Sequence, residues 1–133
     1  MRNRARGYAA GVAAVRLVAG VALGGAPSAF LGFEPRVSGT SMPLLLRTVG
    51  IRDLAVGIGT ASALRSGSNA DLRRWVSAGL LSDTLDVMAG VASSRTTGFR
   101  GLSSALIAAP MVWAGVRTIA AMRETDPDWN KLA

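Results

Sequence analysis

Four apolar stretches separated by short polar links run along this chain, at residues 8–33, 43–64, 74–94 and 99–122. A helix needs about 20 consecutive apolar residues to cross the hydrocarbon core of a bilayer. Each stretch is long enough. The pattern therefore predicts an all-α fold, a four-helix transmembrane bundle, with residues 1–133 as a single integral membrane domain and 123–133 as a solvated tail. The links carry turn signals: Glu34-Pro35, Ser38-Gly39-Thr40-Ser41, Ser66-Gly67-Ser68-Asn69 and Thr96-Thr97-Gly98. Ser68 or Asn69 is placed to cap the third helix, and Pro110 predicts a kink in the fourth. The opening MRNRAR before an apolar run has the shape of a signal peptide. Pro27 falls in the would-be cleavage region GGAPSAF, so the segment is read as the first span.

Composition supports helices packed closely in lipid. Half the residues are hydrophobic (50%), mean hydropathy is +0.34 and Gly numbers 16. Small side chains let helix backbones approach one another. Neither Cys nor His occurs. That excludes disulfides, thiol nucleophiles, imidazole bases, haem ligation by His or Cys, and most zinc sites. No catalytic residue, metal or cofactor is expected, and the chain is read as non-catalytic.

The net charge of +7 raises the question of nucleic acid. A phosphate-binding surface gathers its cations on one face or tail, whereas here they punctuate apolar runs, so nucleic acid is not expected. Arg2, Arg4, Arg6, Arg65, Arg73, Arg74, Arg123 and Lys131 lie in the N-terminal tail, the middle link and the C-terminus. Arg36, Arg95 and Arg100 lie in the other two links. This asymmetry predicts that both termini are cytoplasmic. Tyr8 and Trp75 then fall at the inner interface, and Phe30, Phe33 and Phe99 at the outer one. Arg16 and Arg117 are expected to snorkel to the inner face.

The middle two stretches are interrupted by charge. An Arg or Asp at the centre of a span costs ~3 kcal/mol on insertion, and each Leu, Ile or Val contributes ~0.5 in return. For the second stretch that is ~4.5 kcal/mol from its aliphatic residues against ~6 for Arg52 and Asp53. Alone it breaks even or fails; with partners for both charges it inserts. A soluble or peripheral helical bundle is the rival fold.

Candidate site residues follow from helix geometry. With the second and third stretches antiparallel at ~1.5 Å per residue, Asp53 and Arg52 lie ~17 and ~18 Å from the inner end. Asp83 and Asp86 lie ~14 and ~18 Å from it, so all four are level near the midplane. Gly50, Asp53, Gly57 and Thr60 form one stripe, and Gly79, Asp83, Asp86 and Gly90 another. Arg52 sits about 100° round the helix from Asp53, so a different partner is expected for it, Asp86 or Asp83. Arg47 completes the candidate set one turn earlier. The cluster is read either as a packing network that sets register or as a functional site for a proton, a cation, a lipid head group or a quinone. Gly20-x-x-x-Gly24 is a candidate homodimer contact. Asp83-x-x-Asp86 is similar to acidic prenyl-diphosphate motifs, but a second such motif is missing.

Gly50-Ile51-Arg52-Asp53-Leu54-Ala55-Val56-Gly57, with Arg47 upstream and Ser82-Asp83-Thr84-Leu85-Asp86 on the next helix, resembles the small four-helix bacterial membrane proteins of unknown function loosely grouped as DoxX-like. The resemblance covers about residues 40–120. It implies a multi-pass bundle in the bacterial plasma membrane and an accessory-subunit role near respiratory or redox complexes, hence proximity to quinone. The expected function is a non-catalytic structural or accessory subunit of a membrane assembly, with other membrane subunits or further copies of itself as partners. The alternatives are a ligand-handling membrane protein and a membrane enzyme acting on a prenyl or lipid phosphate.

Overall fold

The computed structural model describes the backbone of residues 2–27, 41–97 and 99–124. Among these residues the chain is helical throughout, with helices α1 (Arg2–Gly25), α2 (Ser41–Ser66), α3 (Asn69–Thr97) and α4 (Phe99–Arg123) and no strand. Each overlaps one apolar stretch and extends into a polar flank, but α1 ends at Gly25, short of the expected end at residue 33, where two successive glycines (Gly24, Gly25) precede Pro27. Arg2–Gly7 joins α1 because Arg and Ala are good helix formers. α4 is one helix through Pro110, whose missing N–H removes a single intrahelical bond without ending the element. Glu34-Pro35, Arg36, Ser38 to Thr40, Phe30, Phe33, Gly98 and Trp129 lie outside the described residues.

The α2–α3 connection shows how local chemistry turns the chain. Gly67 takes φ +77°, the left-handed conformation that closes a helix and that glycine adopts without strain. Ser68 then caps α3: its Oγ accepts the Asp71 N–H at 3.2 Å. Asp71 in the first turn of α3 and Arg65, Arg95 and Arg123 in the last turns of α2, α3 and α4 all complement their helix dipoles.

The helices form a ring in chain order. α1 packs most extensively on α2, and α3 on α4, while α2 against α3 and α1 against α4 close the circuit. An apolar core of Ala5, Ala9, Ala63, Leu72, Val76 and Met122 fills the end that carries the start of α1, the α2–α3 turn and the end of α4. At this end Arg6 donates through Nη2 to the Leu64 carbonyl at 2.6 Å, satisfying one of the free carbonyls at the terminus of α2.

Further along, α1 and α2 approach through glycine. A Cβ on Gly20 would lie 2.7 Å from the Leu54 backbone nitrogen and 2.8 Å from the Gly50 oxygen. One on Gly50 would meet Gly24 and lie 2.9 Å from the Gly20 oxygen. Gly20 of the Gly20-x-x-x-Gly24 pair expected to serve a homodimer is therefore used inside the chain against α2, while a Cβ on Gly24 would meet nothing within 4 Å. At the other contacts, the Trp75 ring lies against Gly59, and Leu80 of α3 packs on Gly115 of α4.

The outside of the ring is apolar. Val15, Val18 and Val21 on α1, Ile51 and Ile58 on α2, Leu81, Leu85 and Met88 on α3, and Leu106, Trp113 and Val116 on α4 are all at least half exposed. Among the described residues one helix, Arg4–Gly25 with mean hydropathy 1.5, is long and apolar enough by itself to cross a membrane. α2 and α3 carry Arg52, Asp53, Asp83 and Asp86 within their length, which lowers their average.

Candidate functional site: a buried arginine–aspartate cluster

Midway along the bundle the interior becomes charged. Arg16 of α1 is 3% exposed and reaches across the ring axis with its guanidinium. Its Nη1 donates to Asp53 Oδ1 of α2 at 2.7 Å, and its Nη2 to Asp83 Oδ2 of α3. Arg52 of α2 donates through Nη1 to Asp86 Oδ2 at 2.7 Å and through Nη2 to Asp53 Oδ1 at 3.2 Å. Asp53, Asp83 and Asp86 thus share two guanidinium groups, those of Arg16 and Arg52.

The glycine stripes make this possible. A Cβ on Gly79, one turn before Asp83, would sit 2.9 Å from Arg16 Nη2. Any side chain at that position would occupy the space of the guanidinium. Gly57, one turn after Asp53, lets Leu17 of α1 come as close, with a Cβ there 3.0 Å from Leu17 Cγ. Thr60 and Thr118 are buried without a polar penalty because each hydroxyl bonds the carbonyl four residues earlier, Val56 and Ala114, at 2.8 Å.

The cluster ties three helices at one height. Arg16–Asp53 joins α1 to α2, Arg16–Asp83 joins α1 to α3, and Arg52–Asp86 joins α2 to α3. A slip of any of the three helices by a single turn, about 5.4 Å, would break these bonds and strand a charge. Arg16 Nε and Arg52 Nε are buried and have no hydrogen-bond partner among the described residues. The cluster is closed at Arg16 and Asp83 and open at its other edge, where the Arg52 and Asp86 side chains are 29% and 40% exposed.

Of the candidate residues, Arg52, Asp53, Asp83 and Asp86 come together. Arg47 does not: it is exposed and makes no hydrogen bond or ion pair among the described residues. Arg52 meets Asp86, and it also touches Asp53 beside it, because a long guanidinium spans the angle between adjacent helix positions. Arg16 is the residue that sequence reasoning missed. It was expected to snorkel, yet the same count of rise per residue that levelled the carboxylates puts it ~12 Å along α1 from Tyr8, level with Asp83 at ~14 Å along α3 from Arg74. Arg117, expected to snorkel as well, lies with its Cζ 5.8 Å from the centroid of the exposed Trp113 ring, a cation–π contact one turn apart.

Among the described residues no group of three or more carboxylates is arranged to hold a metal ion. What the cluster offers chemically is a set of charge-assisted hydrogen bonds between three helices, with two buried N–H donors to spare. No family model, curated protein or solved structure matches this chain.

Proposed function

We propose that this chain is a small integral membrane protein of the bacterial plasma membrane, DoxX-like in character. In this reading its four helices all cross the bilayer, both termini are cytoplasmic, and it serves as a non-catalytic structural or accessory subunit of a larger membrane assembly. One observation carries the reading: the bundle encloses an ion-pair network and turns many large apolar side chains outward. Arg16 and Asp83 are 3% and 4% exposed, while Val18, Leu81, Met88 and Trp113 are each more than 60% exposed. In water-soluble proteins Arg and Asp are almost never fully buried unless paired, as Arg16 and Asp83 are here. The weight therefore falls on the extended apolar surface, which marks a contact with a partner or a membrane.

The spacing of the exposed cations agrees. Arg74 and Arg95 of α3 are exposed and stand about 31 Å apart, and Arg47 and Arg65 of α2 about 27 Å. Both match the ~30 Å hydrocarbon thickness of a bilayer. Arg47 then belongs to the outer cation girdle, which gives it a reason to be exposed. An accessory role fits a chain whose only charged interior is consumed in holding its own helices, among the described residues.

Extraction of membranes with alkaline carbonate tests the reading. The protein is expected to stay with the lipid pellet and to require detergent for release. Release into the carbonate supernatant would identify a peripheral or soluble bundle instead.

A further inference from the structure

The open edge of the charged cluster is an unusual surface for a helix bundle to present to lipid. Arg52 and Asp86 are paired at 2.7 Å, yet their side chains remain 29% and 40% exposed on the face formed by α2 and α3. Ion pairs partly exposed at mid-bilayer are costly, and such residues ordinarily face protein or water. The outer faces of α1 and α4 differ. Val15, Val18 and Val21 on one, and Leu106 and Val116 on the other, are apolar and suit lipid, and the exposed Arg117 lies less than two turns from the end of α4, toward the head groups.

We propose that a second copy of this chain docks on the α2/α3 face, related by a two-fold axis parallel to the helices. Each Arg52 then meets the partner's Asp86. The interface rests on the membrane reading above and supplies what that reading leaves open, the identity of one partner.

Three features favour a second copy over other occupants. The first is charge. A two-fold interface brings each residue of one subunit against its counterpart's surroundings, so a patch must complement itself. A cation beside an anion does so, because rotation sets plus against minus on both sides. The second is height. Arg52 and Asp86 both lie ~18 Å from the same end, and a two-fold parallel to the helices preserves height. The third is relief. Ala55 follows Arg52 by three residues, and Ala89 follows Asp86 by three, so both share a face with the pair. Both are exposed. Their methyl groups leave room for close approach, while Ile51 and Leu85, 64% and 55% exposed, flank them as apolar contacts.

The chain contains no cysteine, so a single introduced thiol reports one position without background. Leu85→Cys, Ala89→Cys, Val18→Cys and Trp113→Cys are to be reconstituted separately in lipid vesicles at low protein density and mildly oxidised. Leu85→Cys and Ala89→Cys are expected to give a disulfide-linked dimer, and Val18→Cys and Trp113→Cys to stay monomeric. Adding Asp86→Asn to Leu85→Cys should lower the cross-linked fraction by about tenfold at limiting density. Ala89→Leu, which leaves the ion pair intact and adds bulk to the face, should weaken the dimer as well. Equal cross-linking from all four positions, or monomers at every density, would overturn the dimer while the membrane reading stands. Protection of Leu85→Cys in native membranes by a different protein would assign the face to that protein and overturn it too. Recovery of the chain from the soluble fraction would instead remove the membrane reading, and the dimer with it.

Discussion

At the scale of single residues, Arg16 carries the most consequence. Among the described residues it is the one side chain that contacts carboxylates on two other helices, Asp53 at 2.7 Å and Asp83. Breaking a buried pair from one side leaves an uncompensated charge at a cost of ~3–5 kcal/mol, whereas removing both partners is often near neutral. Arg16→Leu and Asp83→Leu should each lower the stability of the detergent-solubilised protein by that order, and the double substitution should recover much of the loss. The coupling is expected to exceed ~0.5 kcal/mol, the scatter seen for independent sites. Arg52→Leu with Asp86→Leu forms the comparison cycle. Its coupling should be smaller, because that pair is 29% and 40% exposed in the isolated chain. Arg16→Lys is not a conservative change here, since a single ammonium lacks the fork that serves two carboxylates. Chemical unfolding followed by helix signal reads all of these; additive losses at Arg16 and Asp83 would show that the contact is not energetically coupled.

At the scale of elements, the α1–α2 pair depends on glycine at its crossing, Gly20 against Gly50, and at Gly57 against Leu17, whereas Gly7 and Gly11 of α1 face open space. A Cβ on Gly50 would press on the backbone of α1 at Gly24, Gly20 and Leu23. Backbone cannot move aside as a side-chain tip can, so Gly50→Ala should force the helices apart and cost ~1–3 kcal/mol. Gly11 has nothing within 4 Å of the same atom. Gly11→Ala should therefore be neutral or stabilising by up to ~1 kcal/mol, from helix propensity alone. Opposite signs in the two thermal shifts are the expected result. Matching shifts would mean that propensity, not close approach, governs α1. The glycine stripe of α2 was legible as an inward face, but its partner was not. Stripes show where a helix packs closest, and not which of three neighbours arrives there.

At the scale of the whole molecule, the ring of helices and its orientation make a labelling prediction. In the proposed orientation, with both termini cytoplasmic, Ser41→Cys and Thr97→Cys should react with an impermeant thiol reagent added to intact cells, and Ser68→Cys should not. The reverse pattern would invert the orientation without disturbing the fold. The four helices among the described residues were readable from the chain itself, because a run of apolar residues bounded by Gly, Ser and Pro specifies a helix locally; the end of α1 at Gly25, short of residue 33, was not. The level placement of Arg52, Asp53, Asp83 and Asp86 was readable too, since a fixed rise per residue turns sequence position into height. Height is not azimuth, and there the sequence alone ran out. Whether Arg16 points outward to an interface or inward between two aspartates depends on how α1 is rotated and on which helices flank it. So does the exposure of Arg47, which shares a helix with Arg52 but not its face. Those are properties of the assembled ring, in which α1 lies against α2 and α4. The one-dimensional pattern determined which residues are charged and at what height along the bundle they stand; only the packing of four helices decided which charges meet, because a salt bridge needs direction as well as height.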